Sequence, residues 1–135
     1  MLTLPTNCSF VMPDVAFWLD GSGAQMAVTQ HGGIPSWVPA NVLREIETLR
    51  SKVVRHVMLN KLTPGVIVPK HCDPGERFER WHLPIKTNRD CWYWDARTGR
   101  IYLAPGFWHG PVEYWEEHQV GNEGATDRVH LVVDL

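Results

Sequence analysis

The hydrophobic positions of this chain change their spacing near residue 51. Before that point, Val42, Ile46 and Leu49 follow one another at intervals of four and three residues, which predicts one face of a helix over residues 39–50. Beyond it, apolar and polar residues alternate in short runs, as they do in half-buried β-strands. The runs that we predict as strands are 53–62, 66–71, 80–86, 91–95, 100–103, 112–115, 118–121 and 128–134.

Turn-forming residues separate these runs, with Pro-Gly steps at 64–65, 74–75 and 105–106. About eight short strands at a spacing of roughly ten residues predict a mainly-β domain, either a sandwich or a jelly-roll barrel. We expect one domain over residues 1–135, with the barrel core in 51–135. Residues 1–50 would form a helical or irregular cover, with one or two helices packed outside the barrel. The sequence leaves open whether this cover is a lid, a homodimer interface or a packing layer.

Composition and charge exclude several classes of protein. The 135 residues include 13 basic and 15 acidic side chains, a net charge of −2, and no basic cluster, so we expect no nucleic-acid partner. No apolar run approaches the roughly 20 residues of a membrane helix, and the first residues lack the basic and apolar parts of a secretion signal. The three cysteines, Cys8, Cys72 and Cys91, have no regular spacing. We therefore expect a cytoplasmic protein without a membrane partner.

The candidate chemistry begins at His71 and Asp73. On an extended segment, positions i and i+2 point the same way, so both side chains can reach one metal ion. His118 opens a later predicted strand and would complete a set of two histidines and one carboxylate. That set holds non-haem Fe(II) and leaves coordination positions open. Taken alone, an H-x-D pair more often marks a turn-capping aspartate beside a surface histidine, so the prediction depends on the residues that accompany it.

Arg128 begins the last predicted strand, ten residues after His118. In that strand Val129, Leu131 and Val133 share one face, and Arg128, His130, Val132 and Asp134 share the other, which would be the barrel interior. A buried arginine needs an anionic partner. A dicarboxylate cosubstrate would satisfy it through two parallel hydrogen bonds.

Arg80 and His82 are two further candidates. They are separated by one residue and therefore share a face of another predicted strand. Both could hydrogen-bond the second carboxylate of the same cosubstrate. The alternative roles are a surface arginine and a core histidine.

These residues lie within two longer runs, HCDPGERFERWHLPIKTN at 71–88 and EEHQVGNEGATDRVHLVVDL at 116–135. With the motifs H-x-D, R-x-H-x-P, H-x-V-x-N and R-x-H-L-V-x-D, the chain resembles the aspartyl/asparaginyl β-hydroxylase family over residues 53–135. The resemblance implies a double-stranded β-helix, which is a cupin-like barrel, and hydroxylation that uses Fe(II), 2-oxoglutarate and dioxygen. His71 and His118 match the iron-binding histidines. Asp73 stands where many members have a carboxylate ligand and some have none.

The resemblance also implies a cosubstrate site. Arg128 matches the arginine that pairs with the distal carboxylate of 2-oxoglutarate. Arg80 and His82 match further cosubstrate contacts. Asn60 falls where some members place a small polar contact.

The substrate is the least defined part of the prediction. The family name favours the β-carbon of Asp or Asn, whereas related members act on other free amino acids. We therefore expect either a small-molecule amino acid or a side chain of a peptide or protein. The candidate substrate contacts are Trp92, Trp94, Trp108 and Arg77, with aromatic packing and solvated surface charge as their alternative roles.

Two other functions fit the same fold, namely a different metal-dependent cupin enzyme, such as an isomerase or lyase, and a non-catalytic metal-binding module. An isomerase or lyase needs no dicarboxylate clamp, so Arg128 discriminates against it. A decayed module would be free to lose its ligands, so the complete set argues against it. The remaining histidines are expected to be structural or at the surface; they are His31, His56, His109 and His130. His130 shares a face with Arg128, so a place in the pocket lining is its alternative role.

Overall fold

The computed structural model describes residues 1–28 and 33–135, so the expectation for His31 falls outside them. The described residues form ten β-strands and one α-helix. They are β1 (Leu2–Pro5), β2 (Trp18–Leu19), β3 (Gln25–Ala27), α1 (Ala40–Arg50), β4 (His56–Leu62), β5 (Arg80–Lys86), β6 (Cys91–Asp95), β7 (Gly99–Ile101), β8 (Phe107–Val112), β9 (His118–Asn122) and β10 (Arg128–Asp134). No helix among the described residues has the length and apolar character needed to cross a membrane.

Antiparallel pairing assembles the strands into two sheets. Seven strands form the large sheet in the order β1-β8-β5-β10-β4-β3-β2, and three form the small sheet in the order β7-β6-β9. Side chains from both sheets line one cavity, so the sheets face each other across it. The prediction of a mainly-β, cupin-like jelly roll is confirmed.

The strand predictions differ in accuracy. β5, β6 and β10 have the predicted bounds. Segment 66–71 was also predicted as a strand, but it makes only isolated bridges to β9. The strand expected at 112–115 is wrong, because β8 already ends at Val112. Gly110 lies inside β8, where an added Cβ would come within 2.6 Å of the Trp81 ring, so glycine is required by packing.

The first 50 residues contribute more than a cover. β1 pairs with β8 at one edge of the large sheet, and β3 pairs with β4 toward the other edge. These strands give hydrogen-bond partners to backbone groups that β8 and β4 would otherwise expose. The expected helical or irregular cover is therefore partly strand, and α1 is the single helix among the described residues.

β10 is the central strand, and all seven of its residues are buried. Val129, Leu131 and Val133 belong to one hydrophobic core with Val42 and Ile46 of α1. Val132 and Asp134, on the opposite face, line the cavity. The alternation predicted from the sequence is confirmed, and it separates a dry core from a polar interior.

Glu79 connects the end of α1 to the large sheet. Its carboxylate accepts hydrogen bonds from Arg50 and the Trp81 indole and pairs with Lys52. Burial by itself would raise the pKa of this carboxyl, but the hydrogen bonds from Arg50, Lys52 and Trp81 outweigh it and lower the pKa to about 2.

The depressed pKa predicts an acid-sensitive stability. The native state binds this proton less readily than the unfolded chain, so the stabilisation is complete above the ordinary pKa of 4.5 and is lost as pH falls toward about 2. Glu79→Gln should lower the free energy of unfolding by about 2 kcal/mol at pH 7. In urea titrations the difference from the parent should shrink below pH 4.5. Glu123→Gln, at an exposed site, is the control; an equal loss at pH 7 and pH 3 would contradict the assignment.

Candidate metal centre

Backbone pairing brings His71 and His118 together. His71 and His118 exchange two backbone hydrogen bonds, each 3.0 Å from N to O, as an isolated antiparallel bridge at the start of β9. Their side chains therefore share one face of the small sheet, with ring centroids 4.3 Å apart. Asp73 follows two residues after His71, and its backbone N–H donates to the Tyr114 carbonyl at 2.8 Å.

The three side chains converge on one point. One potential ligand atom from each of His71, Asp73 and His118 lies within 4.8 Å of the others. Nε2 of His71 is 3.4 Å from Asp73 Oδ1, and Nε2 of His118 is 3.5 Å from Asp73 Oδ2. These separations exceed those of strong hydrogen bonds, and they leave room for an ion between the groups.

The hydrogen bond made by Nδ1 of each ring fixes which ring nitrogen carries the proton. Nδ1 of His71 donates to the Pro69 carbonyl at 2.7 Å, and Nδ1 of His118 donates to the Glu116 carbonyl at 2.9 Å. A carbonyl can only accept, so in the neutral rings both Nε2 lone pairs face Asp73. Carbonyl partners of this kind orient histidine ligands in metal sites.

The aspartate is ionised at neutral pH. The contact with His118 lowers the pKa of the Asp73 carboxyl most, burial opposes it, and the nearby His71 and Arg80 lower it further. Two imidazole lone pairs and a carboxylate thus face a common point. Such a set of electron-pair donors fits a divalent metal ion.

A cavity of about 420 Å³ opens beside these ligands, between the two sheets. The small sheet and the segment before it supply His71, Asp73, Tyr93 and His118 to its wall. The large sheet supplies polar residues from three strands to the opposite wall; they are Asn60, Arg80, His82, Arg128 and Asp134.

Arg128 is a buried cation in this wall. It is 2% exposed, and its guanidinium donates to Asn60 Oδ1 at 2.7 Å. Among residues 1–28 and 33–135, no carboxylate pairs with it, and burial lowers its pKa to about 10, so it remains charged at neutral pH. The sequence prediction placed Arg128 on the interior face and expected an anionic partner for it.

Arg80 is in a different situation on the same wall. Its Nε and one terminal nitrogen donate to the two oxygens of Asp134 at 2.7 and 2.8 Å. A second terminal nitrogen is 3.6 Å from Asp73 Oδ2, and the guanidinium stacks 3.8 Å from the Tyr114 ring centre. Arg80 is thus paired with protein groups, whereas the sequence suggested that it would be available to hydrogen-bond the cosubstrate.

His82 and His130 form a buried pair next to Arg128. Their Nδ1 atoms are 3.1 Å apart, so one ring donates and the other accepts. Burial and the charge of Arg128 lower the pKa of both rings well below the ordinary value, so both are neutral. His82 lines the cavity.

The predicted substrate contacts do not lie in this cavity. Trp108 is fully buried in the core, where its indole N–H donates to Glu45. Trp92 packs against Gly121 and Arg100. These two placements correct the sequence interpretation, because neither side chain lines the cavity. For Trp108, the core required a large side chain, which the pattern could not distinguish from one at a cavity rim.

The other two contacts also lie elsewhere. Trp94 stacks with Lys70, and exposed Arg77 stacks with Trp115. Tyr93, which lies between Trp92 and Trp94, lines the cavity instead, since neighbouring strand residues point in opposite directions. The sequence prediction did not include Tyr93.

The fold and this cluster define a mainly-β, cupin-like protein with a candidate metal centre. A family model for aspartyl/asparaginyl β-hydroxylase matches residues 38–135, which is most of the chain. The protein therefore belongs to the aspartyl/asparaginyl β-hydroxylase family.

Two further comparisons add little. The comparison with curated proteins finds no match. Among solved structures, the chain is similar to a predicted oxalate decarboxylase from Thermotoga maritima, with 20% identity and a TM-score of 0.47 over 83% of this chain and 79% of that one.

Removal of either histidine should abolish tight metal binding. In titrations of Co(II) followed by calorimetry and visible absorption, His71→Ala and His118→Ala should each weaken binding at least about a hundredfold, since loss of even an outer-shell partner costs 10- to 100-fold. His56→Ala, at a half-buried site outside the cavity lining, is the matched control. Equal Co(II) affinity in all three variants would show that the cluster is not the metal site.

Proposed function

We propose that this protein is an Fe(II)- and 2-oxoglutarate-dependent dioxygenase that hydroxylates an amino acid or a side chain of a peptide or protein. The observation that carries the proposal is the buried, carboxylate-free Arg128 in the same cavity as the cluster of His71, Asp73 and His118. Membership of the hydroxylase family supports the reaction class.

The donor set fits Fe(II). Two histidines and one carboxylate on one side of an ion form the facial arrangement of non-haem iron oxygenases, which leaves positions open toward the cavity. His71, Asp73 and His118 would hold the ion. The bound iron supplies the oxidising chemistry, in which dioxygen converts 2-oxoglutarate to succinate and CO₂ and a substrate C–H bond becomes C–OH.

Arg128 would bind the far carboxylate of 2-oxoglutarate. A buried guanidinium without an anionic partner destabilises the empty protein, and a bound carboxylate would remove that cost through two charge-assisted hydrogen bonds. Asn60 Oδ1 accepts a hydrogen bond from one terminal nitrogen and so orients the guanidinium. An isomerase or lyase of the same fold that acts on an uncharged substrate would not need such a group.

The remaining wall residues would position rather than react. Neutral His82 offers a ring nitrogen to the cosubstrate, and its partner His130 restrains the ring. Arg80 is held by Asp134, so it would keep Asp73 in place instead of clamping 2-oxoglutarate freely. Val68, Val112 and Val120 make part of the wall apolar, which excludes water from the reacting groups.

Arg128→Met tests the cosubstrate site. In anaerobic titrations with Fe(II) and 2-oxoglutarate, followed by the metal-to-ligand charge-transfer band, the variant should bind 2-oxoglutarate about ten- to a hundredfold more weakly, which corresponds to the loss of one charge-assisted contact. Its melting temperature without ligands should stay the same or rise, because a buried unpaired charge is removed.

Arg55→Met, which removes an exposed arginine outside the cavity lining, should leave both values unchanged. Unaltered 2-oxoglutarate binding in folded Arg128→Met would refute the proposed clamp. Absence of any charge-transfer band in the parent, with Fe(II) bound, would refute the proposed function.

A further inference from the structure

The cavity wall carries more negative than positive charge. Four carboxylates and two guanidiniums line it, namely Asp20, Asp73, Glu76, Asp134, Arg80 and Arg128. If the proposed function holds, a divalent metal ion and the dianion of 2-oxoglutarate add equal and opposite charges. The cavity therefore keeps an excess of two negative charges when both are bound, and this potential selects the charge of the substrate.

The positive groups of the wall are already committed. Arg80 donates to both oxygens of Asp134, and Arg128 is reserved for the cosubstrate by its depth and burial. Three basic side chains that directly adjoin lining residues in the sequence also have partners. Lys61 pairs with Asp127, Lys70 stacks on Trp94, and Arg77 stacks on Trp115. Across the described part of the chain, the lining thus offers no free cation to a substrate carboxylate.

The remaining charged groups are Asp20 and Glu76, both exposed where the cavity meets solvent. Asp20 Oδ1 accepts hydrogen bonds from the backbone and hydroxyl of Ser22, which restrains its carboxylate. Half-buried Met26, Met58 and Phe78 contribute apolar surface to the same lining. An aliphatic chain that ends in a cation matches this combination, since the methylenes cover the apolar surface and the charge reaches a carboxylate.

We infer that the substrate presents an amine or guanidinium on an aliphatic chain and brings no carboxylate into the cavity. A basic side chain within a peptide meets both conditions, because its backbone is uncharged. An acidic side chain would face the excess negative charge, and a free amino acid would need a cation for its α-carboxylate. The metal-ligand cluster and Arg128 identify the cavity independently of Asp20 and Glu76. The inference rests on the proposed function and concerns the substrate of that same site.

Methionine methyl groups provide a direct binding assay. Of the four methionines, Met26 and Met58 line the cavity, while Met1 and Met12 do not and serve as internal controls. The full chain, loaded with Zn(II) and 2-oxoglutarate and labelled with ¹³C at the methionine methyls, is titrated with three probes. The probes are Nα-acetyl-lysine amide, the uncharged Nα-acetyl-norleucine amide and the acidic Nα-acetyl-aspartate α-amide.

The lysine probe should shift the Met26 and Met58 signals and bind at least about tenfold more tightly than the norleucine probe, which is the effect of one charge-assisted contact. The aspartate probe should not shift them. In the double variant Asp20→Asn/Glu76→Gln the lysine probe should lose this advantage. Glu123→Gln, which removes an exposed carboxylate outside the lining, should keep it.

The outcomes separate the inference from the proposed function. Equal binding of the lysine and norleucine probes, or preferred binding of the aspartate probe, would overturn the inference. So would the absence of a shift with every probe when 2-oxoglutarate still gives its charge-transfer band with Fe(II). If that band is absent as well, the proposed function itself fails.

Discussion

The burial of β10 on both faces is the constraint on which the rest of the structure depends. One face supplies Val129, Leu131 and Val133 to the core beneath α1. The other carries charged and polar side chains into the interior, where water cannot solvate them freely. The fold must therefore provide a protein partner for each buried polar group or leave that group free to bind a ligand. Which groups are paired and which are left free determines the chemical character of the cavity.

Two arginines show this division on the same wall. Arg80 meets Asp134 through a two-point contact, although 54 residues separate them in the chain. Arg128 meets only the neutral amide of Asn60 among the described residues, so its charge is oriented but not neutralised. A paired arginine stabilises the fold, whereas an arginine that is buried without a counterion favours the binding of an anion. The difference lies in the partners, since both side chains have the same chemistry.

The sequence predicted the features that depend on the local spacing of hydrophobic residues, such as strand bounds and strand faces. It missed the side-chain contacts between residues that are distant in the chain. Alternation alone gave the bounds of β5, β6 and β10 and the interior side of Arg128. The spacing in H-x-D, with His118, named the three side chains that converge in the candidate metal cluster. The sequence placed Asp134 on the same strand face as Arg128, so an interior partner such as Arg80 could have been suspected for it. That Asp134 pairs with Arg80 becomes apparent only from the register between β5 and β10. Trp108 could not be separated from the cavity rim, since large aromatic residues suit both places.

The metal cluster combines rigid and less restrained ligands. His71 and His118 are held by two mutual backbone hydrogen bonds and by ring contacts to the carbonyls of Pro69 and Glu116. Asp73 lies beyond the bridge, in a segment outside any strand, and its side chain is 38% exposed. The two histidines are thus oriented before any ion binds, while the Asp73 carboxylate depends on the backbone hydrogen bond from Asp73 N–H to the Tyr114 carbonyl and on its own contact with Arg80. The histidines would therefore define the position of a bound metal, and the surroundings of Asp73 would determine how firmly the third ligand completes the site.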